Sequence, residues 1–167
     1  PTYRAPVAQA VGRLDDPSPM LLVGFHGMRD FYPHLIAENL QRQGHAARGA
    51  QVPLSLITQR HDSNPVHLAH ALEEPARRQA LATALHKLVK PGERIGLPAI
   101  LGVEQHVAVR QALQEEVGAP IFEIPILPPS VPGQRLYNAL YAAFRAAGGQ
   151  MVLGPTVRGQ IDRHGTA

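Results

Sequence analysis

Cysteine and tryptophan are both missing from this 167-residue sequence. Lysine is scarce too, with Lys87 and Lys90 the only two among 16 basic residues. Without cysteine there is no disulfide, no thiolate-held zinc, no iron–sulfur ligation and no thiol nucleophile. Long apolar runs are also lacking. The densest, residues 20–25, falls far short of the roughly 20 residues that span a bilayer. The first ten residues carry no sustained apolar core, so no secretory signal is read there. The sequence opens on Pro1, and its natural start is expected to lie elsewhere. Three motifs are absent as well: G-x-G-x-x-G after a strand, G-x-x-x-x-G-K-[ST], and G-x-S-x-G. Charge of one sign is nowhere concentrated. Sixteen Lys+Arg stand against 13 Asp+Glu, for a net +3. The cations are scattered singly or as the pair Arg77-Arg78, with no interleaved aromatics, so nucleic acid is not an expected partner.

What remains is globular composition: 44% hydrophobic and 17% charged residues, with 15 Gly and 16 Pro punctuating many turns. Residues 1–19 read as an extended lead-in, 20–153 as one α/β domain, and 154–167 as a tail. Strands are expected at 20–25, 46–52, 94–101, 121–124 and 151–153 from short apolar runs bounded by turns. Between them fall helical patterns. One carries Phe31, Leu35, Ile36 and Leu40 on one face, with Asp30 as its cap and Gly44 as its stop. Others cover 67–73, 75–89 and 104–117, and the last carries Leu136, Leu140, Ala143, Phe144 and Ala147. Strands alternating with helices imply a doubly wound, mostly parallel sheet of about five strands with helices on both faces, a Rossmann-like or flavodoxin-like three-layer fold.

In such a sheet ligands bind beyond the carboxyl ends of the strands. The irregular segments collect on that edge: residues 26–29, 60–64, Gly102 and 127–135. Ser130, Gly133, Gln134 and Arg135 open a proline-started helix whose free amides and dipole suit an anion such as phosphate. The same residues also read as a plain helix cap with Arg135 facing solvent. Arg60, His61, Asp62 and Asn64 combine a fixed cation, an imidazole and a carboxylate, a set suited to anion recognition and proton transfer. They equally form a polar loop in which Asp62 or Asn64 caps the next helix. His26 and Arg29 are site or turn residues by the same reasoning. His26, His61 and Asp62 are the candidates for catalysis; Arg29, Arg60, Asn64, Ser130, Gly133, Gln134 and Arg135 are those for phosphate. His67 and His70 are three apart with His61 nearby, but no strong metal signature exists and no metal is expected.

Three stretches carry a family resemblance. Residues 23–31 (Val-Gly-Phe-His-Gly-Met-Arg-Asp-Phe), 97–102 (Leu-Pro-Ala-Ile-Leu-Gly) and 127–136 (Leu-Pro-Pro-Ser-Val-Pro-Gly-Gln-Arg-Leu) together resemble the B subunit of anaerobic glycerol-3-phosphate dehydrogenase. The last stretch is the most specific. Gly148-Gly149, an apolar run and Gly154 extend the match, which covers about 20–157. The resemblance implies a flavoprotein oxidoreductase converting sn-glycerol 3-phosphate to dihydroxyacetone phosphate and passing electrons to quinone. It also implies FMN or FAD in the full-length parent. The partners it implies are the rest of that chain, an FAD-bearing A subunit, plus a membrane-anchoring iron–sulfur C subunit. The parent complex is expected to be cytoplasmic, peripheral on the inner face of the membrane. The family's glycine-rich nucleotide-binding segment and its closing flavin-facing segment do not appear here. This sequence is therefore expected to be the central inserted domain, inactive alone and without cofactor. Two alternatives stand beside that reading: a non-catalytic docking domain of the same complex, and a stand-alone module binding a small anion.

Overall fold

The computed structural model describes residues 12–59 and 64–154. The apolar run at 20–25 becomes β1 (Met20–His26), every residue of it buried except His26. A strand buried on both faces belongs at the centre of a parallel sheet, and β1 lies between β2 (Ala47–Pro53) and β3 (Arg94–Pro98), with β4 (Ile121–Ile124) outside β3. All three pairings are parallel, in the order β2-β1-β3-β4. The chain thus winds outward from β1 to β2, then crosses back to build β3 and β4 on the other side, the doubly wound arrangement read from the sequence.

The sheet has four strands rather than five. Residues 151–153 were the expected fifth, yet they pair with no strand, and Val152 and Leu153 are 81% and 86% exposed. An apolar run of three residues has no strand identity of its own; a neighbouring edge confers it.

Side chains alternate along β1 and divide the core. Leu21, Val23 and Phe25 join the larger cluster with α2 (Pro65–Leu72), α3 (Pro75–Leu88) and α4 (His106–Val117). Met20 and Leu22 face the smaller cluster, with Ala37 of α1 (Pro33–Arg42) and Phe122. Helices therefore cover both faces. Helix α1 starts later than its pattern suggested: Pro33 takes the first position, and Tyr32, not Asp30, precedes it without a side-chain cap. Phe31 packs into the core ahead of the helix, while Leu35 is 55% exposed. Gly118, in the left-handed region at φ +73°, ends α4 as its sequence position indicated.

Arginines fasten the amino edge. Arg48 forks onto Glu93 with two bonds of 2.6 Å and also donates to the Leu88 carbonyl. Buried Arg94 donates to the carbonyls of Asp16 and Ser18, faces the Asp16 carboxylate at 3.5 Å and lies over the Phe122 ring, which holds residues 16–18 against the sheet. A cleft of about 320 Å3 opens on this edge between residues 14–18 and Gly44–Ala46.

The chain forms two compact units, residues 1–136 and 137–167, and α5 (Val131–Ala146) contributes to both. Within the second, Tyr137 and Tyr141 stack at 5.9 Å, and the Tyr137 hydroxyl donates to Met151 Sδ at 3.9 Å. Leu140 and Phe144 of the apolar helical pattern are 62% and 44% exposed.

At Gly49 of β2 the backbone of α1 packs close against the sheet. A Cβ added there would stand 2.6 Å from the His34 amide nitrogen and 2.7 Å from His34 Cα. Backbone cannot swing aside as a side chain can, so Gly49→Ala is expected to lower stability by about 1–3 kcal/mol. A urea-denaturation midpoint equal to that of the parent chain would contradict this packing.

Candidate functional site

Beyond Leu22 and Gly96 the strands β1 and β3 no longer pair, although β1 continues alongside β2 to His26 and β3 alongside β4 to Pro98. This parting lies at the point where the strand order reverses, the usual crevice of an open α/β sheet. Of the residues that follow, Met28 and Phe31 after β1, and Ile100, Leu101 and Val103 after β3, are buried within the larger cluster.

The loop from Ala99 to Gln105 is held by two carboxylates and one guanidinium. Glu123 of β4 accepts the Leu101 amide at 2.8 Å. Arg135 forks onto Glu123 at 2.6 and 3.0 Å and donates to the Gly102 carbonyl at 2.8 Å. The two side chains are only 14% and 10% exposed. Glu73, just past α2, reaches the start of α4, where one of its oxygens accepts the amides of Val103, Glu104 and Gln105 at 2.8, 2.7 and 3.1 Å. Burial works to raise its pKa, but those three amides and His70 together bring it below the ordinary glutamate value.

At the first position of α4 sits partly buried His106, whose Nδ1 is buried without a partner. Burial lowers its pKa, assisted by the positive charges of Arg135 and Arg110 against the opposing influence of Glu123 and the Val103 backbone. This end of a helix also disfavours a cation.

Seen against this geometry, the residues singled out from the sequence separate. Arg135, Ser130, Gly133 and Gln134 do come together at the carboxyl edge, and the Arg135 guanidinium is turned into the fold. Ser130 Oγ accepts the Gly133 amide at 3.1 Å and the Ser130 carbonyl accepts that of Gln134, so Ser130 caps α5. A Cβ at Gly133 would meet Ser130 at an ordinary 3.4 Å, so nothing there requires glycine for a ligand's approach. Asn64 caps α2 by accepting the Val66 amide at 2.9 Å. His26 and Arg29 are exposed beside Gly27. Arg60, His61 and Asp62 lie outside the described residues. His67 and His70 are exposed, His70 beside Glu73, and among the described residues no group of three potential ligands is placed to hold a metal. Also among them, no helix is long and apolar enough to cross a membrane.

Glu73, Glu123 and His106 were not picked out from the sequence. Glu123 carried a signal, being the one acid inside the apolar run 121–124, where a buried carboxylate demands a partner. Glu73 had none, because its three amide donors are 30 to 32 residues further along the chain.

An alternating, doubly wound α/β domain is the class of protein that these elements define. The family described as FAD binding domain matches residues 2–164, and the chain belongs to that family. It is 36% identical to the probable B subunit of anaerobic glycerol-3-phosphate dehydrogenase from Halobacterium salinarum, over 94% of this chain and 39% of that protein. Against the B subunit of the Yersinia enterocolitica anaerobic glycerol-3-phosphate dehydrogenase the identity is 34%, over 94% of this chain and 38% of the relative. The Pectobacterium carotovorum protein of the same name is 38% identical over 80% of this chain and 33% of its own length. The chain thus spans about two fifths of the length of the first of these relatives. No solved structure matches.

The FAD that the family name implies calls for a short glycine-lined turn running into a helix whose free amides face the pyrophosphate. The described residues do not fit it. Six residues separate β1 from α1, α1 begins with a proline, and the Pro33 ring stands against Gly24, where a Cβ would lie 2.8 Å from Pro33 Cδ. Ahead of α4 the amides of Val103, Glu104 and Gln105 already bond Glu73.

Removing one member of a buried ion pair strands the other. Arg135→Ala is expected to lower unfolding free energy by about 3–5 kcal/mol. The paired replacement Glu123→Gln with Arg135→Gln should lose less than that single change in the same urea titration.

For His106 the sign follows from its lowered folded pKa. As pH falls, the unfolded chain takes up the proton first, near about 6.5, so stability is fullest above that value and is lost on the way down toward the folded pKa. The urea midpoint should therefore drop between about pH 7.5 and about pH 5.5. His106→Gln should remove part of the drop, and an identical drop in the variant would dissociate it from this side chain.

Proposed function

We propose that this chain is a domain of a flavin-dependent glycerol-3-phosphate dehydrogenase, the B subunit of a multi-subunit enzyme. The observation that carries the reading is 34–36% identity to proteins of that name from an archaeon and a bacterium, spread over 94% of this chain. Membership of the FAD binding domain family supports a flavin in the complete protein. The reaction is oxidation of sn-glycerol 3-phosphate to dihydroxyacetone phosphate. Its two electrons pass through the flavin to quinone by way of partner subunits, one bearing FAD and the other an iron–sulfur protein. The complex sits on the cytoplasmic face of the membrane. For a phosphate-bearing substrate, the cations that the fold leaves exposed on the carboxyl edge include Arg29, with His26 beside it.

The test uses the complete protein that carries this domain, purified with its accompanying subunits and bound flavin. Glycerol 3-phosphate should reduce a quinone analogue, with dihydroxyacetone phosphate accumulating one for one. Arg29→Ala is expected to raise KM by about tenfold, the size of one lost exposed charge contact of about 1.4 kcal/mol. A flavin-loaded assembly that oxidises no glycerol 3-phosphate would overturn the reading.

A further inference from the structure

Membership of an FAD binding family raises the question of whether the four-stranded sheet is the part that binds the nucleotide. In an open α/β sheet, three kinds of donor on the carboxyl edge can hold a pyrophosphate: the first turn after β1, the leading amides of a crossover helix, and a nearby guanidinium. In this chain the fold claims groups of each kind. After β1, Met28 and Phe31 go into the core, and Pro33 presses on Gly24 where α1 begins. Just ahead of α4, the amides of Val103, Glu104 and Gln105 converge on one oxygen of Glu73. At α5 the hydroxyl of Ser130 holds the Gly133 amide, and Pro132 has no amide proton to offer. The Arg135 guanidinium is forked onto Glu123 and bonded to the Gly102 carbonyl.

We infer that this sheet is not the nucleotide-binding part of its flavoprotein. The carboxylates of Glu73 and Glu123 take the positions at the carboxyl edge that an anionic ligand's oxygens would need. An incoming pyrophosphate would have to displace a carboxylate already holding three amides, and would meet the negative charge of Glu123 beside Arg135. The flavin of the complete protein is then bound by residues other than those described here. The inference rests on the family assignment and deepens the dehydrogenase reading, but its fate is separate, since it concerns where the flavin lies and not which substrate is oxidised.

The experiment is a titration of the 167-residue chain with FAD, and in a second series with FMN, followed by calorimetry and by amide hydrogen exchange. The expected result is no saturable binding up to about 1 mM nucleotide, with exchange at residues 26–33 and 101–106 unchanged. One-to-one binding in the micromolar range, or slowed exchange at those amides on adding either flavin, would overturn the inference. Neither result touches the assay of glycerol 3-phosphate oxidation by the complete protein, which judges the dehydrogenase reading by itself.

Discussion

Glu123 and Arg135 form the contact on which the carboxyl edge depends. One carboxylate from β4 and one guanidinium from the start of α5 meet with little solvent access, and between them they also bind the amide of Leu101 and the carbonyl of Gly102. Such a pair contributes little as an isolated attraction, since both ions have left water. Its importance lies in what it satisfies. The β3–α4 loop leaves the sheet where its neighbours part, and its backbone polar groups would otherwise be buried without partners. Glu73 does the same for the next three amides, so one short loop is secured from α2, β4 and α5 at once.

The sequence revealed the scaffold more readily than the site, for physical reasons. Burial of β1 on both faces wrote itself as an unbroken apolar run, and positive-φ glycines such as Gly118 marked where helices end. Both are local signals. Strand identity at 151–153 is not local, because it depends on an available edge, and the expected fifth strand did not form. Asp30 failed as a cap because Pro33 already fits the first helical position and moves the boundary past it. At the site, Ser130, Gly133 and Arg135 stood out as a motif and do lie together. Whether their polar groups faced a ligand or the protein was set by Glu123, which reads as one letter in an apolar run. Glu73 was invisible because its partners are distant in sequence.

Family membership and this geometry fit together without conflict. The chain covers about two fifths of relatives such as the Halobacterium protein, and a flavoprotein of that length has room to place its nucleotide outside this sheet. Domains with one fold serve many roles, and function follows the site more than the architecture. Here the site's arginine and serine stabilise their own loop and helix, leaving His26 and Arg29 as exposed polar groups on the same edge.

Parallel α/β folds have a directional electrostatic bias. Because α1, α4 and α5 each begin beyond the carboxyl end of a strand, their positive dipole ends gather on one side of the sheet. Left alone, that edge would draw anions toward it over distances comparable with the Debye length. Two carboxylates set among those helix ends shorten its reach. An approaching phosphate therefore meets a local surface shaped by exposed groups such as Arg29, and not the broad positive field that the winding of the chain would otherwise create.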